Sequence, residues 1–229
     1  MLELAGALRG AGLEVEVSDS PLDPSGFDLV HVHNPFSPGA VAVLLEALGS
    51  GVPAVVTNHS IPPGYRAGGL RAILSTLGPV SIGRLLSSAE VLTAVSRAAA
   101  DFLSSLTGRG VRVIPNGVDL RRFSPGGEPD GSFLFVGRLV YRKGVHVLLE
   151  ALALASREDP EVRLRVVGAG PMAPILRSLA RSLGLRGRVD FAGPVGDSEL
   201  VRMYRSSNAV VLPSLYGESF GVVVLEAWA

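Results

Sequence analysis

Apolar and polar positions along the chain follow two alternating patterns. Short runs rich in Val, Ile and Leu end in polar or glycine residues, and longer segments with apolar residues at helical spacing follow them. This alternation is typical of βαβ units, in which helices pack on a parallel sheet, and it predicts an α/β fold. The predicted strands cover residues 13–17, 29–32, 53–57, 91–95, 111–114, 133–136, 164–167, 189–191 and 209–212. The predicted helices cover residues 2–10, 40–48, 70–77, 82–88, 97–106, 145–156, 173–183, 198–206 and 220 onward.

Nine strands are many for one small domain, and a stretch rich in Pro, Gly and Ser, residues 123–132, separates two strand-rich halves. It predicts a linker between two domains, 1–127 and 128–229. The alternative is an ordinary loop within one domain. The chain enters a helix without a preceding strand, and its last helix is apolar, so we expect both domains to be incomplete: the first without its first strand and the second without its C-terminal units.

The composition excludes several classes of protein. Of the 229 residues, 47% are hydrophobic and 18% are charged, with 21 Lys plus Arg against 21 Asp plus Glu. These values exclude a disordered chain and a generally basic nucleic-acid-binding protein, so we expect no nucleic-acid partner. The absence of cysteine excludes a disulfide framework, a thiolate zinc site and a cysteine nucleophile. No signal-peptide pattern is visible, and no apolar run approaches the roughly 18 residues of a spanning helix, so we expect a cytoplasmic protein.

Two further biases have more than one interpretation. Glutamine is absent and 20 of the 21 basic residues are Arg, which is typical of a thermophile or of GC-rich codon use. Residues 62–89 contain no acidic side chain and carry Arg66, Arg71 and Arg84 among apolar residues. This basic amphipathic stretch is compatible with peripheral contact with an anionic membrane, and also with ordinary helix surface.

Polar residues gather where the predicted strands end. His31 and His33 close one strand, His59 follows the next, and Asn116 follows a later one. Ligands of open parallel sheets bind at the carboxyl ends of the strands, so these side chains predict a binding rim. His31 and His33 share one strand face and are compatible with a metal pair, with hydrogen bonding to a sugar or acceptor, or with packing. No carboxylate follows at ligand spacing, and we expect no metal.

The segment Phe135-Val-Gly-Arg138-Leu-Val-Tyr-Arg-Lys143-Gly144 runs from a strand through a loop to a helix start. Arg138 and Lys143 lie five residues apart and are placed to converge on one phosphate group. Lys143 is the only lysine in the chain, and every other basic residue is Arg. This choice indicates that the position needs a compact positive charge. The alternative is that both are solvated loop charges.

Glu218 and Glu226 flank the start of the last predicted helix. Glu226 is an ionisable residue among Val, Leu and Trp, and such a group usually needs a partner, here paired hydroxyls. Gly221 allows close approach to the backbone, and the amides of Phe220, Gly221 and Val222 predict an anion site. Glu218 is placed to face a sugar, or to stabilise the helix N-terminus.

Gly168 and Gly170 form a tight turn between a strand and a proline-initiated helix. The turn resembles part of a dinucleotide fingerprint, but the third glycine and the acidic residue after the next strand are missing. We expect instead a backbone turn that approaches a base or a sugar.

Taken in chain order, these segments resemble one family, the retaining glycosyltransferases of family 4, which have the GT-B fold. The segments that carry the resemblance are Asp28-Leu-Val-His31-Val-His33-Asn-Pro35, Val95-Ser-Arg97, Val113-Ile-Pro-Asn116-Gly-Val-Asp119, Phe135-Val-Gly-Arg138 with Lys143-Gly144, Val167-Gly-Ala-Gly-Pro171 and Glu218-x7-Glu226. The resemblance implies two Rossmann-like domains with parallel sheets facing a cleft, the first binding the acceptor and the second the nucleotide sugar.

The resemblance also implies roles for individual residues. Arg138 and Lys143 would bind the diphosphate and stabilise it as it leaves, Glu226 would hold the ribose, and Glu218 would contact the transferred sugar. His59 matches less closely a histidine that approaches that sugar. The implied reaction is hexosyl transfer with retention, with no metal or cofactor; the substrates are a nucleotide-diphosphate sugar and a carbohydrate or lipid-linked acceptor.

Other functions remain open at this stage. A noncatalytic nucleotide-binding fragment or partner subunit would keep the same segments, and so would a GT-B-type epimerase. A GT-B phosphorylase would need a cofactor-binding lysine besides Lys143, and the chain has none.

Overall fold

A computed structural model describes residues 2–18, 23–61 and 79–229. The chain divides into two compact units, Met1–Pro115 and Asn116–Ala229. Each unit contains a four-stranded sheet in which every neighbouring pair is parallel. The α/β prediction with two parallel sheets is therefore confirmed.

In the first unit the sheet order is β1-β2-β3-β4. Its elements are α1 (Leu2–Gly10), β1 (Val30–His33), α2 (Pro38–Gly49), β2 (Ala54–Asn58), α3 (Pro79–Ser87), β3 (Val91–Ala94), α4 (Arg97–Thr107) and β4 (Arg112–Val113). The core lies between the sheet and its helices, where Leu44, Val56 and Leu103 are fully buried.

The second unit has the order β7-β6-β5-β8. Its elements are β5 (Ser132–Val136), a 3-10 turn (Tyr141–Lys143), α5 (Val145–Ala155), β6 (Arg163–Val167), α6 (Ala173–Ser182), β7 (Val189–Gly193), α7 (Asp197–Ser206), β8 (Ala209–Val210) and α8 (Val222–Trp228). Phe135, Leu149 and Val166 are fully buried in its core. In a doubly wound order of this kind, the loops after β5, β6 and β8 all emerge at the carboxyl edge of the sheet.

Local chemistry explains where the helices of the first unit begin and end. The side chain of Ser37 accepts a hydrogen bond from the Ala40 amide and caps α2, and that of Ser96 accepts from Ala99 and caps α4. Gly108 ends α4 in the left-handed conformation. These signals explain why the predicted helix bounds lie close to those in the structure.

The strand predicted over residues 13–17 is wrong, because residues 13–18 have no regular secondary structure. The Val15 carbonyl accepts from the Arg9 guanidinium instead of from a neighbouring strand, and Leu13 is exposed. The predicted helix over residues 70–77 lies outside the described residues.

The boundary between the units falls between Pro115 and Asn116, earlier than the predicted linker. Residues 123–127 pack on α7. Arg205 donates to the carbonyl and hydroxyl oxygens of Ser124 at 2.9 and 2.7 Å, and the Phe123 ring meets that of Tyr204 edge-on, with their centres 5.8 Å apart. This Pro- and Gly-rich stretch is thus a packed part of the second unit.

Candidate functional site

Glycines at the carboxyl edge of the second sheet hold the loops after β5 and β6 together. A Cβ on Gly168 would lie 2.0 Å from the Gly137 carbonyl oxygen, and one on Gly170 would lie 2.4 Å from that of Leu139. The Leu139 amide donates to Ala169 at 2.8 Å. The two glycines are therefore required by loop packing, and their approach to a base or sugar stays a prediction.

The 3-10 turn after β5 positions Lys143. Gly144 ends the turn with φ of 69°, and a Cβ there would lie 2.0 Å from the Pro213 carbonyl oxygen. The Leu215 amide donates to the Arg142 carbonyl at 2.8 Å. These contacts seat the turn on the loop after β8, so Lys143 is held beside the segment that carries Glu218.

Lys143 and Glu218 form an ion pair, with 2.5 Å between Nζ and Oε2. The lysine side chain is 13% exposed and the glutamate side chain 28%, so water screens the pair only in part. Ser214 Oγ donates to the same Oε2 at 2.9 Å. Burial acts to raise the pKa of Glu218, but the hydrogen bonds from Lys143 and Ser214 outweigh it and lower the pKa. Glu218 is therefore a carboxylate at neutral pH.

Arg138 follows β5 at the same edge and is exposed. Its guanidinium makes no hydrogen bond or ion pair with any residue of the described ranges, which leaves its five N–H groups available to an anion. Arg142, by contrast, donates to the Gly217 carbonyl at 3.4 Å. The convergence of Arg138 and Lys143 on one phosphate stays a prediction.

Glu226 lies on α8 and accepts a hydrogen bond from Tyr204 Oη, with 2.5 Å between the oxygens. Burial and this bond raise the pKa of the Tyr204 phenol. Both side chains line a cleft of about 190 Å³ that Phe123 and Trp228 also border. One oxygen of Glu226 is thus held by the protein, and the predicted binding of paired hydroxyls by Glu226 stays a prediction.

The helix that carries Glu226 begins two residues later than predicted, at Val222, and is seven residues long. Gly221 precedes it with φ of 77° and has no side chain with which to cap it. The predicted anion binding by the amides of Phe220, Gly221 and Val222 stays a prediction.

The first unit brings its three histidines into one row at the carboxyl ends of β1 and β2. The ring centres of His31 and His33 are 4.1 Å apart, and those of His33 and His59 are 5.0 Å apart. His33 Nδ1 and His59 Nε2 share a hydrogen bond of 2.7 Å. Burial, together with the neighbouring imidazoles, lowers the pKa of His33 to about 3, and burial also lowers that of His59. Among residues 2–18, 23–61 and 79–229, no His, Asp and Glu side chains form a group suited to hold a metal ion.

A chain of hydroxyl groups continues from this row into the sheet. His31 Nε2 lies 2.7 Å from Thr57 Oγ1, which lies 2.6 Å from Thr93 Oγ1. Asn58 is fully buried, donates to Ala99 O and accepts from the Ser60 amide, so it fixes the loop that carries His59.

The remaining predicted residue, Asn116, is partly buried, and its side chain has no hydrogen bond within the described part of the chain. Its role stays a prediction. Three residues with contacts to the candidate side chains were missed: Thr57, Tyr204 and Ser214. None of them has a distinguishing spacing in the sequence.

Two α/β units, each with a parallel sheet and polar carboxyl edges, match the architecture of the GT-B fold. The family model described as "Glycosyl transferases group 1" matches residues 119–229, and that described as "Glycosyltransferase Family 4" matches residues 19–122. The chain belongs to the family 4 glycosyltransferases of GT-B fold.

Curated relatives match along most of the chain. A D-inositol 3-phosphate glycosyltransferase of Actinosynnema mirum is 35% identical over 99% of this chain and 60% of its own length. A phosphatidyl-myo-inositol mannosyltransferase of Mycobacterium tuberculosis is 34% identical over 89% of this chain and 52% of its own length. The chain thus spans between half and two thirds of these relatives.

Solved structures share the fold. Anabaena HepE, crystallised with UDP and glucose, has a TM-score of 0.73 at 21% identity, over 98% of this chain and 60% of its own. A sucrose-phosphate synthase from Thermosynechococcus elongatus has a TM-score of 0.67 at 24% identity, over 88% of this chain and 54% of its own.

Proposed function

We propose that the protein is a glycosyltransferase that moves a hexosyl group from a nucleotide-diphosphate sugar to an acceptor hydroxyl, with retention of the anomeric configuration. The observation that carries the proposal is the pairing of Lys143 with Glu218 at the carboxyl edge of the second sheet, on loops that also present Arg138. The names of the curated relatives, which are glycosyltransferases and a mannosyltransferase, support it.

The two cations match the charge that the reaction develops. The bond between the anomeric carbon and the diphosphate breaks, a bond to the acceptor oxygen forms on the same face of the sugar, and the acceptor proton passes to the leaving phosphate. Negative charge therefore accumulates on the diphosphate, where fixed positive groups in a partly shielded site stabilise the transition state most. Arg138 supplies a fork of donors, and Lys143 supplies a compact charge.

The two carboxylates would bind the uncharged parts of the substrate. Glu226 Oε2 accepts a hydrogen bond from Tyr204, and Oε1 has no hydrogen-bond partner among the described residues, so it can accept from the paired hydroxyls of a ribose. Glu218 would accept from hydroxyls of the transferred sugar. In the first unit, His59 is proposed as a sugar-binding residue, and His31 and His33 as acceptor-binding residues. Neither a metal nor a cofactor has a step in this scheme.

The acceptor is proposed to be a carbohydrate or a lipid-linked hydroxyl. Most of the stretch proposed for membrane contact, residues 62–78, lies outside the described residues. Within the described ranges, no helix is both long enough and apolar enough to cross a bilayer. Co-sedimentation with anionic vesicles, with neutral vesicles as the control, tests the proposed peripheral contact.

Nucleotide binding tests the proposed function most directly. We would titrate the chain with UDP, GDP and ADP by calorimetry and repeat the titration with Arg138→Ala. Arg186→Ala is the matched control, because Arg186 is also exposed but precedes β7 and so lies at the opposite edge of the same sheet. We expect one nucleotide to bind, with affinity lowered about ten-fold or more in Arg138→Ala and unchanged in Arg186→Ala. Absence of binding by all three nucleotides would overturn the proposal for this chain.

A further inference from the structure

The two oxygens of the Glu218 carboxylate have different surroundings. Both Lys143 Nζ and Ser214 Oγ donate to Oε2, at 2.5 and 2.9 Å. Oε1 has no hydrogen-bond partner among the residues that the structure describes. A carboxylate can accept about four hydrogen bonds, so the capacity left at Glu218 is concentrated on one oxygen.

The segment around Glu218 is tied down on both sides of its turn. The Leu215 amide donates to the Arg142 carbonyl at 2.8 Å, and Arg142 Nη1 donates back to the Gly217 carbonyl at 3.4 Å. Ser214 immediately precedes this clamped stretch and Glu218 immediately follows it. The distance between the serine hydroxyl and the carboxylate is therefore set by backbone contacts as well as by the hydrogen bond itself.

Ser214 and Lys143 differ in what else they can bind. Lys143 carries a positive charge that a diphosphate would attract, and its three N–H donors allow it to bind a phosphate and a carboxylate together or to exchange one for the other. Ser214 carries no charge, so a diphosphate would not attract it away from the carboxylate. It can hold Glu218 Oε2 in the same place whether or not an anion draws Lys143 away.

We propose that Ser214 is the positioning residue of Glu218: its hydroxyl holds Oε2, which leaves Oε1 to accept a hydrogen bond from a hydroxyl of the transferred sugar. The assignment rests on the proposed function, since it takes Glu218 as the residue that contacts the sugar. It adds a determinant of sugar binding that contacts neither the sugar nor the phosphates.

The test compares two ligands that differ only in the sugar. For the nucleotide that binds the parent chain, we would measure affinity for the nucleoside diphosphate and for its nucleotide sugar, in the parent, Ser214→Ala, Ser214→Thr and Ser182→Ala. Ser182 is the matched control, because its hydroxyl donates to a local carbonyl, Leu179 O, at the distant C-terminal end of α6.

We expect Ser214→Ala to lower affinity for the nucleotide sugar about five-fold while changing affinity for the nucleoside diphosphate less than about two-fold. Ser214→Thr keeps the hydroxyl and should restore most of the affinity, and Ser182→Ala should behave as the parent does. Independently of any ligand, a carboxyl NMR titration should show a higher pKa for Glu218 in Ser214→Ala, because the carboxylate has lost one donor.

The outcomes separate the two proposals. If the parent binds the diphosphate but Ser214→Ala binds the nucleotide sugar as tightly as the parent, the positioning role is overturned and the proposed function stands. An equal loss for both ligands in Ser214→Ala also overturns it, because the serine then supports the site as a whole. If the parent binds neither ligand, the proposed function fails and the role of Ser214 fails with it.

Discussion

His33 Nδ1 lies 2.7 Å from His59 Nε2, so the two imidazole rings share one hydrogen bond. Such a bond needs a donor on one ring and an acceptor on the other, and two imidazolium rings offer donors only. His31 lies on the other side of His33, so protonation of neighbouring rings would place positive charges close together. The arrangement is therefore a neutral one at physiological pH, and acid should disrupt it.

The first prediction follows from the pKa of His33, which is lowered from 6.5 to about 3 in the folded chain. Between these two pH values the unfolded chain binds more protons than the folded one, so the free energy of unfolding falls as the pH falls from 6.5 toward 3. The contribution of neutral His33 to stability is complete above pH 6.5. We expect His33→Asn, whose amide can still bond to His59, to remove about 1 kcal/mol of this acid sensitivity.

Thermal unfolding of the parent and of His33→Asn, at neutral pH and on the acid side, measures the difference. His146→Asn is the control, because His146 lies in the second unit and stacks on Tyr141. Equal acid sensitivity in all three proteins would contradict the prediction.

The second prediction divides the proposed nucleotide site into two parts, which calorimetry with a nucleoside diphosphate and with inorganic pyrophosphate can separate. Arg138→Ala and Lys143→Ala should lower affinity for both ligands. Glu226→Ala should lower affinity for the nucleoside diphosphate about ten-fold and leave that for pyrophosphate unchanged, because the carboxylate would bind ribose hydroxyls. Glu158→Ala, an exposed glutamate after α5, serves as the control. Loss of pyrophosphate binding in Glu226→Ala would show that the ribose assignment is wrong.

The third prediction concerns Tyr204, whose hydroxyl donates to Glu226. Tyr204→Phe keeps the ring but removes this donor, and the partly buried carboxylate then lacks its partner. We expect a loss of about 1 kcal/mol of stability in denaturant unfolding. Tyr141→Phe, at an exposed ring, should cost nothing measurable. A spectrophotometric titration should also show that Tyr204 is harder to ionise than a free tyrosine, because burial and the bond to Glu226 raise its pKa.

Much of the fold could be predicted because the central strands are buried on both faces. The run that became β2 (Ala54–Asn58) has three consecutive buried residues and could form little else. Residues 13–17 show the alternation of an exposed strand, but alternation does not supply a hydrogen-bonding neighbour, and Arg9 takes the Val15 carbonyl instead. Strand pairing is a tertiary property, and no window of sequence contains it.

In the candidate site, single residues could be predicted from the sequence, but the contacts between them could not. Lys143 could be singled out because it is the only lysine, and Glu218 because of its spacing from Glu226. That the two form an ion pair could not be predicted, because 75 residues separate them along the chain. Ser214 was invisible for a further reason: serine is common in loops, and only its distance to the carboxylate distinguishes it.

The fourth prediction concerns Gly144, which joins the turn carrying Lys143 to α5. Its φ of 69° lies in the left-handed region, and a Cβ there would lie 2.0 Å from the Pro213 carbonyl oxygen, an atom of the backbone that no rotamer change can move away. Gly144→Ala should therefore destabilise the second unit by at least about 2 kcal/mol. Where the chain still folds, the turn must move off the loop after β8, so affinity for a nucleoside diphosphate should fall as well.

Gly117→Ala is the matched control, because a Cβ at Gly117 meets nothing within 4 Å. Denaturant unfolding of the parent and the two variants measures the stability, and a Gly144→Ala protein that unfolds like Gly117→Ala would mean that the turn does not depend on this contact.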